Sequence, residues 1–181
     1  LERYDEAKVW AKQGIESERE WQKSLGWNVL CAVSGEESDR DASIQNCESA
    51  LFHAREIGAG VAIDASNASN AAFGIFDFDR AETYAIEATK SGDGSSVSAW
   101  INLVALYLME GRGAAVVSAM QGLNQALASE EPHMRAQKRA DVDAVFSLVL
   151  LAAGKTPKAF EKIDRALKYP DRRPLQFPLR R

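Results

Sequence analysis

Residues 100–111 read WINLVALYLMEG, and this stretch is the strongest indication of the fold. Trp100, Leu103 and Tyr107 are separated by three and then four residues. A helix places side chains with this spacing on one face. The stretch therefore predicts an amphipathic helix that buries two aromatic side chains and a leucine.

A second helical segment further along the chain complements the first. It carries Gly154, Ala159, Ile163 and Ala166, followed by Pro170. Together the two segments contain most of the tetratricopeptide signature, W-x2-L-G-x2-Y…A-x3-F…P, which describes a helix–turn–helix unit of about 34 residues. The chain therefore resembles the tetratricopeptide repeat (TPR) family. The resemblance implies an all-α fold in which antiparallel helix pairs stack into a right-handed superhelical solenoid.

Glycine, proline and capping residues divide the rest of the chain into helices joined by short turns. Residues 1–170 are expected to form the repeat array, with a partial repeat at the N-terminus, and residues 171–181 a basic Pro/Arg tail. No strand pattern is visible, and about nine helices are predicted. They cover residues 3–16, 18–34, 39–57, 61–74, 78–90, 96–110, 112–128, 132–153 and 157–169.

Composition and charge limit the classes of function. Hydrophobic residues make up 46% of the chain and charged residues 27%, which is typical of a folded domain. The longest apolar runs are too short to cross a bilayer, so we expect no membrane span. The net charge of −4 combines a basic segment, residues 155–181, with an acidic remainder. An acidic array is not expected to bind nucleic acid.

Catalytic and metal-binding motifs are not apparent. His53 and His133 have no partner in a nucleophile–base order, and we expect both on the surface. Asp77 and Asp79 resemble part of a calcium loop, but helix capping at residue 78 explains them better. We therefore predict neither an enzyme nor a cofactor or metal site.

Cys31 and Cys47 are too few for a disulfide framework and lack the spacing of metal ligands. They fall on consecutive helices of one hairpin, so they can lie near each other. We expect two buried free thiols, and whether they pair stays open. The compartment also stays open, with the cytoplasm slightly favoured over the periplasm.

The four tryptophans lie at helical spacing, which favours the core over a ligand cage. They are Trp10, Trp21, Trp27 and Trp100.

Asparagines suggest a binding groove. In the TPR frame, Asn67 and Asn102 both occupy position 6 of a first helix, and Asn70 occupies position 9. The resemblance implies that first helices line a concave surface, where some family members hold a peptide backbone with an asparagine ladder. A carboxamide both donates and accepts hydrogen bonds, so it can pair with any peptide unit. The alternative is that these are solvated helix asparagines. The same frame adds Lys23, Asn28, Ile63, Phe73, Ile101 and Leu108 to the groove.

The sequence thus favours a non-catalytic interaction module, a scaffold or adaptor that binds a peptide or segment of a partner protein in the concave groove. Two alternatives remain. One is a regulatory or substrate-recruiting TPR domain of a larger enzyme. The other is self-assembly into a homo-oligomer through incomplete terminal repeats.

Overall fold

The computed structural model describes residues 2–91 and 96–168, and this part of the chain is all-α, with nine helices and no strand. The all-α prediction is confirmed, and the predicted helix ends agree to within two residues. The predicted tail, residues 171–181, lies outside the described residues. The helices are α1 (Glu2–Ile15), α2 (Glu20–Glu36), α3 (Arg40–Ile57), α4 (Val61–Gly74), α5 (Phe78–Lys90), α6 (Ser96–Met109), α7 (Gly113–Ser129), α8 (Pro132–Ala152) and α9 (Thr156–Leu167).

Local side-chain contacts define several helix ends. The Asp39 carboxylate accepts a hydrogen bond from the Ala42 amide at the start of α3. Asp77 accepts one from the Arg80 amide at the start of α5. Each contact satisfies an amide that has no partner within its helix. The capping role predicted for Asp77 is therefore confirmed.

The described residues fall into two compact units, which divide between Ala99 and Trp100. In the first unit each of α2, α3 and α4 packs against the helices before and after it in sequence. In the second unit α8 packs against α9 and also contacts α7. Among the described helices, none combines the length and apolar character needed to cross a membrane.

Side chains in the first unit also connect helices that are two apart. Asn28 of α2 donates to Asp64 of α4, a separation of 36 residues. Arg80 of α5 donates to Glu48 of α3 over 2.8 Å, a separation of 32 residues. The contacts between α2 and α4 and between α3 and α5 therefore recur at nearly the same spacing in the sequence.

Glycine permits the close approach of α1 and α2. A Cβ atom at Gly26 would lie 2.5 Å from the Ala11 carbonyl oxygen, and one at Gly14 would lie 2.9 Å from the Gln22 carbonyl oxygen. Both neighbours are backbone atoms, which cannot rotate away. The two helices can pack at this distance only because neither glycine carries a side chain.

Cys31 of α2 and Cys47 of α3 form a disulfide bond, and both are buried. The expectation of free thiols is therefore wrong. Antiparallel packing of α2 and α3 brings the two Cα atoms to 4.8 Å, within the range that a disulfide can bridge. Sequence spacing within each helix carries no information about this register between helices.

The expectation that all four tryptophans lie in the core is wrong for two of them. Trp10 is 73% exposed and Trp21 is 51% exposed. Trp27 and Trp100 are partly buried, and the Trp100 ring covers Gly122, where a Cβ atom would lie 2.5 Å from the ring. Helical spacing places a residue on a face, but it does not tell whether another helix covers that face.

Candidate peptide-binding surface

Helix α4 has one open face. Ile63, Asn67 and Asn70 follow one another at spacings of four and three, so they share this face. Ile63 is 51% exposed, Asn67 is partly exposed and Asn70 is exposed. The buried positions of α4, such as Ala65 and Ala72, lie on its other sides. The face thus combines an apolar side chain with two carboxamides.

Helix α2 has a corresponding face. Trp21, Leu25, Asn28 and Ala32 follow one another at spacings of four, three and four. Trp21 is 51% exposed and Leu25 is 57% exposed. Large apolar side chains that remain this exposed are candidates for contact with another molecule.

A hydrogen-bonded contact joins these two faces. Asp64 of α4 is buried and accepts hydrogen bonds from Asn28 and, over 3.1 Å, from the Ser24 hydroxyl. Asn28 belongs to the open face of α2, and Asp64 follows Ile63 of the open face of α4. The contact therefore links α2 and α4 at the edges of these two faces. We refer to the combined surface as the α2–α4 face, which consists of Trp21, Leu25, Asn28, Ile63, Asn67 and Asn70.

Asp64 is well placed to hold this surface together. It lies in the first turn of α4, where the helix dipole favours a negative charge. Its two described hydrogen bonds compensate for the removal of the carboxylate from water. Because both donors lie on α2, the carboxylate constrains how α2 and α4 pack. The Asn28 carboxamide is engaged in this contact, so it contributes to the α2–α4 face mainly by holding it in place.

Lys23 lies on a different side of α2 from the other groove candidates. Its ammonium group donates to Glu20 over 2.7 Å, and the other oxygen of Glu20 lies 2.6 Å from Nδ1 of His53 on α3. The hydrogen bond from Lys23, followed by the contact with His53, lowers the pKa of Glu20. Lys23 is thus part of an ion-pair cluster on the α3 side of α2.

The same cluster corrects the expectation for His53, which is not a freely solvated surface residue. It is partly buried, and its ring lies edge-on to Phe52 with the ring centroids 5.2 Å apart. The side chain of His133 lies outside the described residues.

Phe73 is buried, and its ring centroid lies 5.6 Å from that of Phe78 on α5. It therefore contributes to the packing of α4 against α5, and the structure does not place it on the α2–α4 face. Asn102, Ile101 and Leu108 are partly buried residues of α6 and belong to the second unit. The ladder that pairs Asn67 with Asn102 stays a prediction.

A shallow pocket opens on α3, and no motif in the sequence indicates it. Its volume is about 420 Å³, and Phe52 is well exposed at its edge. Glu48 accepts hydrogen bonds from Arg80 and, over 2.6 Å, from the Tyr84 hydroxyl. Burial and this hydrogen bond raise the pKa of Tyr84 to about 12. The lining residues are Trp27, Gln45, Glu48, Ser49, Phe52 and His53.

Within residues 2–91 and 96–168, no three His, Cys, Asp or Glu side chains group as potential metal ligands. What the described surface offers is apolar contact area, carboxamides and paired charges.

Comparison with known proteins shows a fold but no family. No protein-family model matches the chain, and no curated protein does. The chain is similar to the crystal structure of BtubC (BKLC) from P. vanneervenii, with a TM-score of 0.63 and 21% sequence identity. The similarity covers 98% of this chain and 78% of the BtubC chain. At this level of identity the two proteins share a helical fold.

Proposed function

We propose that this chain is a non-catalytic, TPR-like interaction module that binds a polypeptide segment of a partner protein on the α2–α4 face. One observation carries the proposal. Trp21 and Leu25 of α2 and Ile63 of α4 each leave more than half of their surface exposed, and Ile63 shares its face of α4 with Asn67 and Asn70. An apolar patch next to groups that can pair with a peptide backbone suits an extended segment.

The spacing of contacts supports a repeated, solenoid-like arrangement. Bonds between α2 and α4 span 36 and 40 residues, and bonds between α3 and α5 span 32 and 36 residues. These values bracket the TPR repeat of about 34 residues. In such a repeat α2 and α4 are first helices, and first helices share one surface of the stack. The proposal follows from this shared surface.

Estimated contributions to the binding free energy indicate which side chains dominate binding. A partner that covers the exposed half of Trp21 removes about 100 Å² of largely apolar surface from water, worth roughly 2.5 kcal/mol. A hydrogen bond from Asn67 or Asn70 adds about 1 kcal/mol. Apolar contact therefore supplies most of the affinity, and the asparagines orient the backbone.

The test uses peptides selected from a random display library on the full chain. Their affinities are then measured for wild type, Trp21→Ser and Trp10→Ser. Trp10 is the matched control because it is an even more exposed tryptophan and lies on α1, outside the α2–α4 face. We expect Trp21→Ser to weaken binding by about 50-fold and Trp10→Ser to leave it within about twofold.

Circular dichroism checks that both variants remain helical. Equal loss in the two variants, or no loss for Trp21→Ser, would show that the selected peptides bind elsewhere and would contradict the proposal.

A further inference from the structure

A buried carboxylate in the second unit is surrounded by an excess of positive charge. Asp143 of α8 is fully buried. Lys162 of α9 donates to its Oδ1 over 2.8 Å, while Nε of Arg165 and Nε of Arg139 lie 3.5 and 3.8 Å from its Oδ2. Three cations thus surround one carboxylate. The α8–α9 cluster, defined as these four residues, carries two more positive than negative charges.

The contacts within this cluster are unequal. Lys162 makes a hydrogen bond, and its ammonium group also lies 5.0 Å from the centre of the Phe146 ring. Among the described residues, the buried Oδ2 atom of Asp143 has no hydrogen-bond partner, and the guanidinium groups of Arg165 and Arg139 approach it only to 3.5 and 3.8 Å. Among the described contacts of Asp143, Lys162 therefore makes the hydrogen bond between the helices, and the two arginines are only loosely held by Asp143.

The two arginines are also accessible. The side chain of Arg139 is 39% exposed and that of Arg165 is 49% exposed. Each guanidinium has five N–H donors in a planar fork, and its shortest contact with Asp143 is made by Nε, at 3.5 Å for Arg165 and 3.8 Å for Arg139. Along α9, Lys158 lies one turn before Lys162 and Glu161 lies one turn before Arg165. These two residues add one charge of each sign, and Arg135 and Lys168, one turn from Arg139 and Arg165, add two further positive charges, so the surroundings of the cluster are also positive.

We propose that the α8–α9 cluster is a second binding site, which takes an acidic segment of a partner protein through its Asp or Glu side chains. Carboxylates pair with the planar edge of a guanidinium through two parallel hydrogen bonds. Two carboxylates with one charge each match the surplus of two within the four residues of the cluster. Lys162 and Asp143 hold the helices together while Arg139 and Arg165 bind the segment. The site lies within the second unit and does not depend on the function proposed for the α2–α4 face.

The experiment measures fluorescence anisotropy of rhodamine-labelled peptides on the full chain. One peptide alternates Glu and Ala, and its matched control alternates Gln and Ala. The site variant is Arg139→Gln with Arg165→Gln, which retains the bond between Lys162 and Asp143. The control variant is Lys90→Gln with Arg112→Gln, which removes the same charge from exposed positions elsewhere. Each affinity is measured at about 20 mM NaCl, where interactions between charges are weakly screened, and at about 200 mM NaCl, where they are strongly screened.

We expect wild type to bind the Glu peptide and not the Gln peptide, with affinity falling as salt rises. The site variant should bind at least about tenfold more weakly, and the control variant within about twofold of wild type. If the double variant loses helicity, the single change Arg165→Gln should still weaken binding several-fold.

Three results would overturn the proposal. The first is no discrimination between the Glu and Gln peptides, or no binding at all, which would leave the cluster with a purely structural role. The second is equal weakening in the site and control variants. The third is displacement of the Glu peptide by inorganic phosphate at a much lower concentration than by free glutamate, which would assign the site to phosphate groups.

Discussion

Replacing Gly26 with alanine tests how closely α1 and α2 pack. The added methyl group would lie 2.5 Å from the Ala11 carbonyl oxygen and 3.0 Å from the Ile15 amide nitrogen. Both obstacles are backbone atoms of α1, so a side-chain rotation cannot remove the overlap. Helix α1 must move away from α2 if the methyl group is to fit.

Two opposing effects determine how much Gly26→Ala changes the free energy of unfolding. Alanine is favoured over glycine within a helix by about 1 kcal/mol. Overpacking of a tight contact costs about 1–3 kcal/mol, and the rigid obstacles favour the upper end. We therefore expect Gly26→Ala to destabilise the first unit by about 1–2 kcal/mol.

Gly35→Ala is the matched control on the same helix. Its nearest obstacle is the Ser43 hydroxyl at 3.7 Å, an ordinary contact, so this change should be neutral or stabilise by up to about 1 kcal/mol.

Urea denaturation followed by circular dichroism gives the stability of each variant, and amide hydrogen exchange shows which helices lose protection. For Gly26→Ala, protection should fall first in α1, which packs against α2. The reasoning is refuted if Gly26→Ala is as stable as Gly35→Ala, or if exchange increases in α4 and α5 while α1 is unaffected.

Three further changes test other parts of the structure. Replacing both Cys31 and Cys47 with alanine removes a covalent link between residues 16 positions apart and should lower the free energy of unfolding of the first unit by about 3 kcal/mol. Urea denaturation measures this loss, and an unchanged urea midpoint would count against the disulfide. Asp143→Asn leaves the cations around it without a counter-charge and should lower the free energy of unfolding by about 2 kcal/mol. Amide hydrogen exchange in α9 should then be faster, and exchange as slow as in wild type would contradict the role given to this carboxylate. Asn67→Ala combined with Asn70→Ala should weaken binding of a selected peptide roughly 30-fold without unfolding the protein, and unaltered affinity would show that these two carboxamides do not hold the peptide.

Local chemistry made most of the secondary structure predictable. Turns around glycine and proline separate runs with helical periodicity, and the Asp77 side chain caps α5 by accepting from the Arg80 amide, only three residues away in sequence. Pro132 is the first residue of α8 and Pro157 the second of α9, in the first turn, where a missing amide proton leaves no helical hydrogen bond unmade. Such features depend on neighbours within one or two turns, so they can be identified without knowledge of the rest of the fold.

The candidate surface was only partly predictable. Ile63, Asn67 and Asn70 share an open face of α4, as the repeat frame indicated. The same frame placed Phe73 in the groove, yet α5 covers it. It also gave no reason to expect Trp21 on the surface. Periodicity describes how side chains are distributed around one helix, and whether a face is open depends on the neighbouring helices.

From the linear chain alone one can thus infer which segments are helical, where they end and that the protein is all-α. The three-dimensional packing was needed to reveal the disulfide between Cys31 and Cys47, the burial of Asp64 between α2 and α4, and the exposure of Trp21. These features arise from contacts between residues 16 to 40 positions apart, or from the lack of a covering helix. Helix formation is governed by interactions within a few residues, whereas burial and pairing depend on the register between separate helices.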